Sequence, residues 1–172
     1  SGWKTSNFSS IHGFFSNCNS IREINLSGWD VSNVVTMSSV FQNCSALRDL
    51  NLTGWRTNRV NNLSNTFASC SALKTLDLSG WGVTNLISAD SMFAICSALQ
   101  SINLSGWNTQ KLTNMISMFR GCSSLKTVDL SSFNVSNVVS LDSVFHSCSA
   151  LQSINLTGWN TGKVKSLQYT FC

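Results

Sequence analysis

The chain has 172 residues (18.8 kDa) and a mean hydropathy of +0.08, and its apolar fraction of 42% is enough to form a core and excludes general disorder. Only 10% of the residues are charged, proline is absent, and serine, threonine and asparagine fill 64 positions. The net charge of +4 comes from scattered residues, which argues against a nucleic-acid partner. The sequence has no apolar run near the ~18 residues of a membrane-spanning helix.

A repeat of 26 residues accounts for this composition. The regular cysteines are Cys18, Cys44, Cys70, Cys96, Cys122 and Cys148, and Cys172 falls two places early. Phenylalanine recurs at the same interval from Phe15 to Phe171. Tryptophan recurs from Trp3 to Trp159, with Phe133 as its one substitute. Repeats of this length predict a stack of similar units, so we predict a single repeat domain over residues 1–172 with about six and a half repeats.

Each repeat begins with a short strand. In the second full repeat, apolar Leu50 and Leu52 alternate with polar Asp49, Asn51 and Thr53. Alternation at a period of two is typical of a strand with one buried face. The glycine that follows ends the predicted strand.

A second apolar pattern follows the turn. Val60, Leu63, Phe67 and Cys70 are spaced i, i+3, i+7 and i+10, which is typical of one face of a helix. Asn58 precedes this stretch and suits an N-cap position. We therefore predict a helix of ~10 residues, partly 3₁₀ in character.

Stacked strand–turn–helix units would form parallel strands joined by crossovers. The units NLSGWDVSNVVTMSSVFQNCSALRDL and INLSGWNTQKLTNMISMFRGCSSLKTVDL match a leucine-rich repeat in which Trp replaces the usual Asn. They resemble the BspA-like leucine-rich repeats of bacterial and protist surface proteins over essentially the whole chain. The predicted fold class is an α/β leucine-rich-repeat solenoid, a horseshoe with its parallel sheet on the concave face and short helices on the convex face. The resemblance implies surface exposure and binding or adhesion.

Neither the cysteines nor the histidines suggest catalysis. We interpret the cysteine column as buried free thiols, because disulfides between neighbours would force unequal spacing on an otherwise uniform stack. The cysteines lack zinc-ligand spacing. His12 and His146 lie at unrelated positions of the repeat, without a partner set for acid–base chemistry. We expect no metal, no cofactor and no enzymatic activity.

The outward positions of the strands are the predicted contact surface. They form columns of hydroxyls, amides and a few carboxylates on the concave face. The predicted binding residues are Asp49, Asn51, Thr53, Thr75, Asp77, Ser79, Ser101, Asn103, Ser105, Thr127, Asp129 and Ser131. Solvated polarity without a ligand is the alternative interpretation of these columns. A discontinuous basic column lies where the strands start, at Arg22, Arg48, Lys74 and Lys126.

Asn-x-Ser/Thr sequons provide a second interpretation of the same face. They occur at Asn7, Asn25, Asn43, Asn51, Asn62, Asn103, Asn134 and Asn155. In a secreting eukaryotic host they would be N-glycan acceptors. Their number also follows from copying one repeat, so they need not carry glycans.

The predicted function is a non-enzymatic module of an extracellular or cell-surface protein, for adhesion or for binding a protein or glycan. The alternative is a structural, N-glycosylated rod or filament subunit of an extracellular assembly. An intracellular scaffold also remains open, since free thiols suit a reducing compartment. Both ends fall inside a repeat, so we expect a segment of a larger protein, with uncapped ends capable of self-association.

Overall fold

A computed structural model describes residues 3–172. Each repeat contributes one three-residue strand: β1 (Glu23–Asn25), β2 (Asp49–Asn51), β3 (Thr75–Asp77), β4 (Ser101–Asn103), β5 (Thr127–Asp129) and β6 (Ser153–Asn155). Paired strands are parallel and offset by one repeat, so that Leu50 of β2 lies beside Ile24 of β1. The middle residue of each strand faces inward and its two neighbours are exposed. The predicted parallel strands are therefore confirmed. Each turn of the solenoid is called here a coil and is named after its strand.

The helices predicted on the convex face are wrong: residues 3–172 contain no α-helix. Turns occupy these segments instead. Each of the β1 to β5 coils places two residues four apart in the left-handed region, such as Ser39 (φ 57°) and Asn43 (φ 59°). Such residues interrupt a right-handed helix. The Gln42 N–H donates within its coil to the Ser39 carbonyl (3.2 Å), whereas the Phe41 N–H donates to Thr66 of the next coil (2.8 Å). Backbone donors thus alternate between the local turn and the neighbouring coil.

Helix-like apolar spacing has its cause in these turns. A β-turn reverses the chain over four residues. Successive turns therefore return a side chain to the core every three or four positions, the same interval as a helix face. Met37, Phe41 and Cys44 are all fully buried in this way.

The phenylalanine column forms a continuous stack through the core. Six successive ring pairs, from Phe15 to Phe171, have centroids 5.3–5.7 Å apart and interplanar angles of 3–18°. A second line of single-residue parallel bridges runs from Ser10 through Thr36 and Asn62 to Asn114. The coils are therefore held in register on more than one side.

Two kinds of coil alternate, which the 26-residue repeat alone does not reveal. The β1, β3 and β5 coils carry Val31, Val83 and Val135 two residues after the aromatic position, and we call them valine coils. The β2, β4 and β6 coils carry Thr57, Thr109 and Thr161 there, and we call them threonine coils. Hydrogen-bonded strand pairs form only as β1–β2, β3–β4 and β5–β6. The structural period is therefore two coils, or 52 residues.

A ladder junction joins each valine coil to the threonine coil after it. Besides the strand pair, the Leu26 N–H donates to the Asn51 carbonyl (2.9 Å) and the Trp55 indole N–H donates to the Leu26 carbonyl (3.0 Å). The same indole bond recurs from Trp107 and Trp159. The tryptophans of threonine coils thus contribute to this junction as hydrogen-bond donors.

A hydroxyl junction joins each threonine coil to the next valine coil. The buried Thr57 hydroxyl donates to the Gly82 carbonyl (3.2 Å), and Thr109 donates to the carbonyl of Asn134 (3.1 Å) and accepts from its N–H (2.8 Å). Aromatic rings stack in pairs across these junctions: Trp3–Trp29, Trp55–Trp81 and Trp107–Phe133, with centroids 5.7–6.0 Å apart. The tryptophan column is therefore a series of pairs and not one continuous stack.

Alternation also explains two departures from the repeat. Gly54 and Gly106 of threonine coils have φ values of 87° and 80°, a region that favours glycine. Ser132 replaces glycine in a valine coil, where the equivalent Gly80 is not left-handed. Phe133 replaces tryptophan in the same coil type, in which the described structure uses no indole bond to the preceding coil.

Candidate binding surface

The strand face consists of the exposed residues that flank the middle of each strand and the residue that begins the following turn. All twelve predicted binding residues lie on this face and are exposed: Asp49, Asn51, Thr53, Thr75, Asp77, Ser79, Ser101, Asn103, Ser105, Thr127, Asp129 and Ser131. The fold therefore brings them onto one surface. Their role in binding remains a prediction.

The last residue of every strand caps the turn that follows. Asn51 Oδ1 accepts the Thr53 N–H (3.0 Å), and Asp77 Oδ1 accepts the Ser79 N–H (2.9 Å). The other four strands make the same contact. Such Asx turns satisfy a backbone donor where the strand ends. The repeated Asn-x-Ser/Thr triplet on the strands thus has a structural cause.

Two carboxylates on the strand face are held in the charged form. The Ser79 N–H lowers the pKa of Asp77, and the Asn103 amide donates to its other oxygen (3.2 Å). The Ser131 hydroxyl, followed by the Ser131 N–H, lowers the pKa of Asp129. Hydrogen bonds to a carboxylate favour its ionised form, so both groups are negative at neutral pH.

A shallow groove crosses the strand face at the hydroxyl junction between β2 and β3. One part, of about 580 Å³, extends from β1 over β2 to β3 and is lined by residues that include Arg48, Asp49 and Asp77. A second part, of about 600 Å³, continues past Thr53 and Arg56. Because β2 and β3 form no hydrogen-bonded pair, and approach each other less closely than β4 and β5, the surface opens here.

The sequence interpretation did not anticipate this groove. Threonine and valine alternate at one position of the repeat, and this alternation shows which junctions lack a strand ladder. It was the sequence signal from which the groove could have been predicted. Leu50 and Leu76 also border both parts of the groove, although their side chains face inward as the middle residues of β2 and β3.

The cysteine column is structural in character. All seven cysteines are free, and Cys44, Cys70, Cys96, Cys122 and Cys148 are buried. Each of these five thiols donates to the phenylalanine carbonyl of the preceding coil, at 3.0–3.2 Å. Burial raises the pKa of all five, to about 11 for Cys44 and Cys148. They therefore stay protonated at neutral pH, which makes them poor nucleophiles.

The histidines lie apart on the surface of the turns. His12 Nδ1 is 2.6 Å from Ser38 Oγ, and His146 packs edge-on against Tyr169. Within the described range, no three His, Cys, Asp or Glu side chains come together as metal ligands. No helix of residues 3–172 is long and apolar enough to cross a membrane.

The predicted glycan acceptors divide by exposure. Asn7, Asn25, Asn51, Asn103, Asn134 and Asn155 are exposed, whereas Asn43 and Asn62 are half-buried. The terminal coils expose large apolar side chains, among them Trp3 at one end and Leu167, Tyr169 and Phe171 at the other. Self-association through these ends remains a prediction.

Comparison with known protein families gives one assignment for this repeat. The family described as "Mycoplasma protein of unknown function, DUF285" matches residues 1–102 and again residues 96–172. The chain belongs to the DUF285 family. The assignment is thus to DUF285, and not specifically to the BspA-like repeats that its motif resembles.

One solved structure is similar to this DUF285 chain. It is a leucine-rich repeat protein from Bacteroides ovatus, with 21% sequence identity and a TM-score of 0.49. The alignment covers 90% of the DUF285 chain and 44% of the Bacteroides protein, so the chain spans less than half of that protein's length. Curated protein sequences give no significant match.

Proposed function

We propose that the chain is a non-enzymatic binding module of an extracellular or cell-surface protein, and that its strand face contacts a protein or a glycan in adhesion. One observation carries the proposal: six strands present the same exposed polar pattern in register, and a groove interrupts the pattern between β2 and β3. The BspA-like motif supports a surface location, since it is typical of surface proteins.

Rigidity of the strand face favours binding. Asx turns fix the Asn and Asp side chains of every strand, and stacked coils fix the backbone on which they lie. Side chains that are ordered before binding lose less conformational entropy when a partner docks. A partner can therefore gain affinity from individually weak polar contacts.

The groove is the proposed centre of contact. Arg48 and Arg56 lie along it, and arginine is enriched among the residues that dominate binding energy. Together with these arginines, Asp49 and Asp77 give the groove charges of both signs, which suits a partner that itself carries both positive and negative groups.

A binding array tests this proposal. The probes are purified extracellular-matrix proteins and surface glycans, and any bound probe is then measured against two variants. One variant carries Asn51→Arg, Asn103→Arg and Thr127→Arg on the strand face. The matched control carries Ser45→Arg, Ser123→Arg and Ser149→Arg, which add the same charge at exposed turn positions.

We expect the strand-face variant to lose at least about tenfold in affinity, because bulky side chains block the face at a cost near 1.4 kcal/mol or more. The control should bind like the unmodified chain. Equal binding by both variants would remove the strand face as the contact surface. Hydrolysis or turnover of a probe would instead contradict the non-enzymatic assignment.

A structural, N-glycosylated rod or filament subunit is the second candidate. It is supported by the exposure of Asn25, Asn51, Asn103 and Asn155 on the strand face. Glycans there would cover the face and prevent docking. We rank it second because the Asx turns already account for the asparagines of these sequons. An intact mass of native material equal to the polypeptide would reject this candidate, whereas added sugar mass would support it.

A further inference from the structure

We propose that a second surface, separate from the strand face, binds a sulfated linear glycan through a row of three cations. The cation row consists of Arg59, Lys111 and Lys163, which occupy the same position in the three threonine coils that follow β2, β4 and β6. The row lies just after the aromatic turn of each coil, away from the strands. It uses none of the residues assigned to the strand face.

Contacts between coils hold the row in a line. Arg59 donates to Asn33 Oδ1 of the preceding coil (3.0 Å), Lys111 donates to Asn85 Oδ1 (2.7 Å), and Lys163 donates to Asn137 Oδ1 (2.7 Å). These asparagines are themselves anchored, as Asn85 shows by donating its amide to the Asn58 carbonyl (2.8 Å). Each cation is thus oriented by a neutral amide, which leaves its charge uncompensated by that partner.

The surrounding edge is the most basic part of the molecule. It contains six cations and one carboxylate, Asp30. Its segments are residues 4–9, 30–35, 56–61, 82–87, 108–113, 134–139 and 160–165. The cations are Lys4, Arg56, Arg59, Lys111, Lys163 and Lys165, and all are exposed. The edge carries a charge of +5, whereas the whole chain carries +4. The remainder of the molecule is therefore slightly negative, and an anionic partner is drawn to this edge.

Spacing along the row matches the repeat length of a linear glycan. Neighbouring parallel coils lie about 4.8 Å apart, so cations two coils apart are separated by about 10 Å. A sulfated glycosaminoglycan repeats every two sugars at a comparable interval, and its sulfates remain ionised at any physiological pH. Three cations would then meet equivalent sulfates on successive disaccharides.

Nucleic acid fits the row less well. Single strands are held by aromatic rings that stack on bases, and residues 56–61, 108–113 and 160–165 contain no aromatic residue. The row therefore lacks the stacking surface of a single-strand site, and the binding experiment compares duplex DNA directly with heparin.

Binding to immobilised heparin, a sulfated glycan, tests the proposal. The row variant carries Arg59→Gln, Lys111→Gln and Lys163→Gln. The control variant carries Arg22→Gln, Lys74→Gln and Lys126→Gln, which remove the same charge where the strands start. Losing three exposed ionic contacts predicts a loss of about tenfold in affinity for the row variant. The control should lose less than about threefold. Both variants are checked for an unchanged thermal unfolding transition.

Further probes separate the outcomes. Hyaluronan, which has one carboxylate per disaccharide and no sulfate, should bind at least about tenfold more weakly than heparin, and duplex DNA likewise. Equal losses in the row and control variants would show binding by net charge alone and overturn the proposal. Undiminished heparin binding by the row variant, or DNA binding as tight as heparin binding, would also overturn it. None of these results bears on the strand face, whose own variants test it independently.

Discussion

The buried threonines of the hydroxyl junctions should stabilise the stack of coils as much as the strand ladders do at the other junctions. Thr57 and Thr109 have no exposed surface, and both donate a hydrogen bond to the next coil. Substitution by valine keeps the shape and removes only the hydroxyl. Thr57→Val and Thr109→Val therefore isolate the hydrogen bond from packing.

The two substitutions should differ in size. Thr57→Val leaves the Gly82 carbonyl without its donor, and one unsatisfied buried group costs about 1–3 kcal/mol. Thr109→Val removes both a donor to the Asn134 carbonyl and an acceptor from its N–H. We expect about 1 kcal/mol for Thr57→Val and about twice that for Thr109→Val. In a chain of this length, each kcal/mol lowers Tm by about 2–4 °C.

Urea titration followed by circular dichroism measures the change in the free energy of unfolding. Val83→Thr is the matched control, since it buries a hydroxyl in a valine coil and should also destabilise, by about 1–3 kcal/mol. If Thr→Val substitutions were neutral or stabilising, the hydroxyls would not hold the junction. Equal losses at Thr57 and Thr109 would refute the account of the two Asn134 contacts.

Three further predictions concern the core and the turns. Trp107→Phe should lower the free energy of unfolding, measured by urea titration, by about 1 kcal/mol, because the indole hydrogen bond to the Leu78 carbonyl is lost. Phe133→Trp should change the free energy of unfolding far less. The reverse order of the two effects would contradict the pairing of coils. The buried thiols should resist a thiol reagent at pH 8 until the protein unfolds, while exposed Cys172 reacts at once. Since unfolded thiols ionise near 9.0 and Cys44 and Cys148 near 11, the free energy of unfolding should be steady below pH 9 and fall as pH rises towards 11; a steady value up to pH 11 would argue against their burial. Ile95 is a β-branched residue with a half-exposed side chain and φ 62°, a backbone conformation that asparagine adopts more readily. Ile95→Asn should therefore raise the free energy of unfolding by about 0.5–1 kcal/mol. A decrease would show that the Ile95 side chain packs favourably.

The sequence predicted the strands well because their signal is local. Alternation of Leu50 and Leu52 with polar residues identifies a strand whatever its neighbours do, and the exposed columns follow directly from it. The helix prediction failed because apolar spacing shows only how many residues separate successive buried positions, and not which backbone conformation separates them. The spacing in question is that of Val60, Leu63, Phe67 and Cys70. Tight turns with left-handed residues such as Asn65 and Ser69 return at the same interval as a helix. The available signal was serine, asparagine or glycine at eleven of the twelve such positions from residue 13 to residue 147.

The candidate surfaces were predictable in part. Exposure of the strand columns follows from the strand pattern, but the groove depends on which junctions lack a ladder. That information lay in the alternation of Thr57 with Val83 and of Lys111 with Asn85, at a period of 52 residues. A search for a repeat of 26 residues averages the two coil types together and hides their alternation. The hydrogen bonds that make the alternation meaningful, such as Thr57 to Gly82, appear only in three dimensions.

The low charge content follows from the same alternation. Like charges in adjacent coils would lie about 5 Å apart, well inside a Debye length of about 8 Å. In the cation row, a neutral asparagine occupies each intervening coil, so the cations lie about 10 Å apart and salt screens their repulsion. Glu23 and Asp49 do face each other in register, and each directly follows an arginine. A stack of this kind therefore carries charge at alternate coils or beside an opposite charge, and fills its remaining outward positions with hydroxyls and amides.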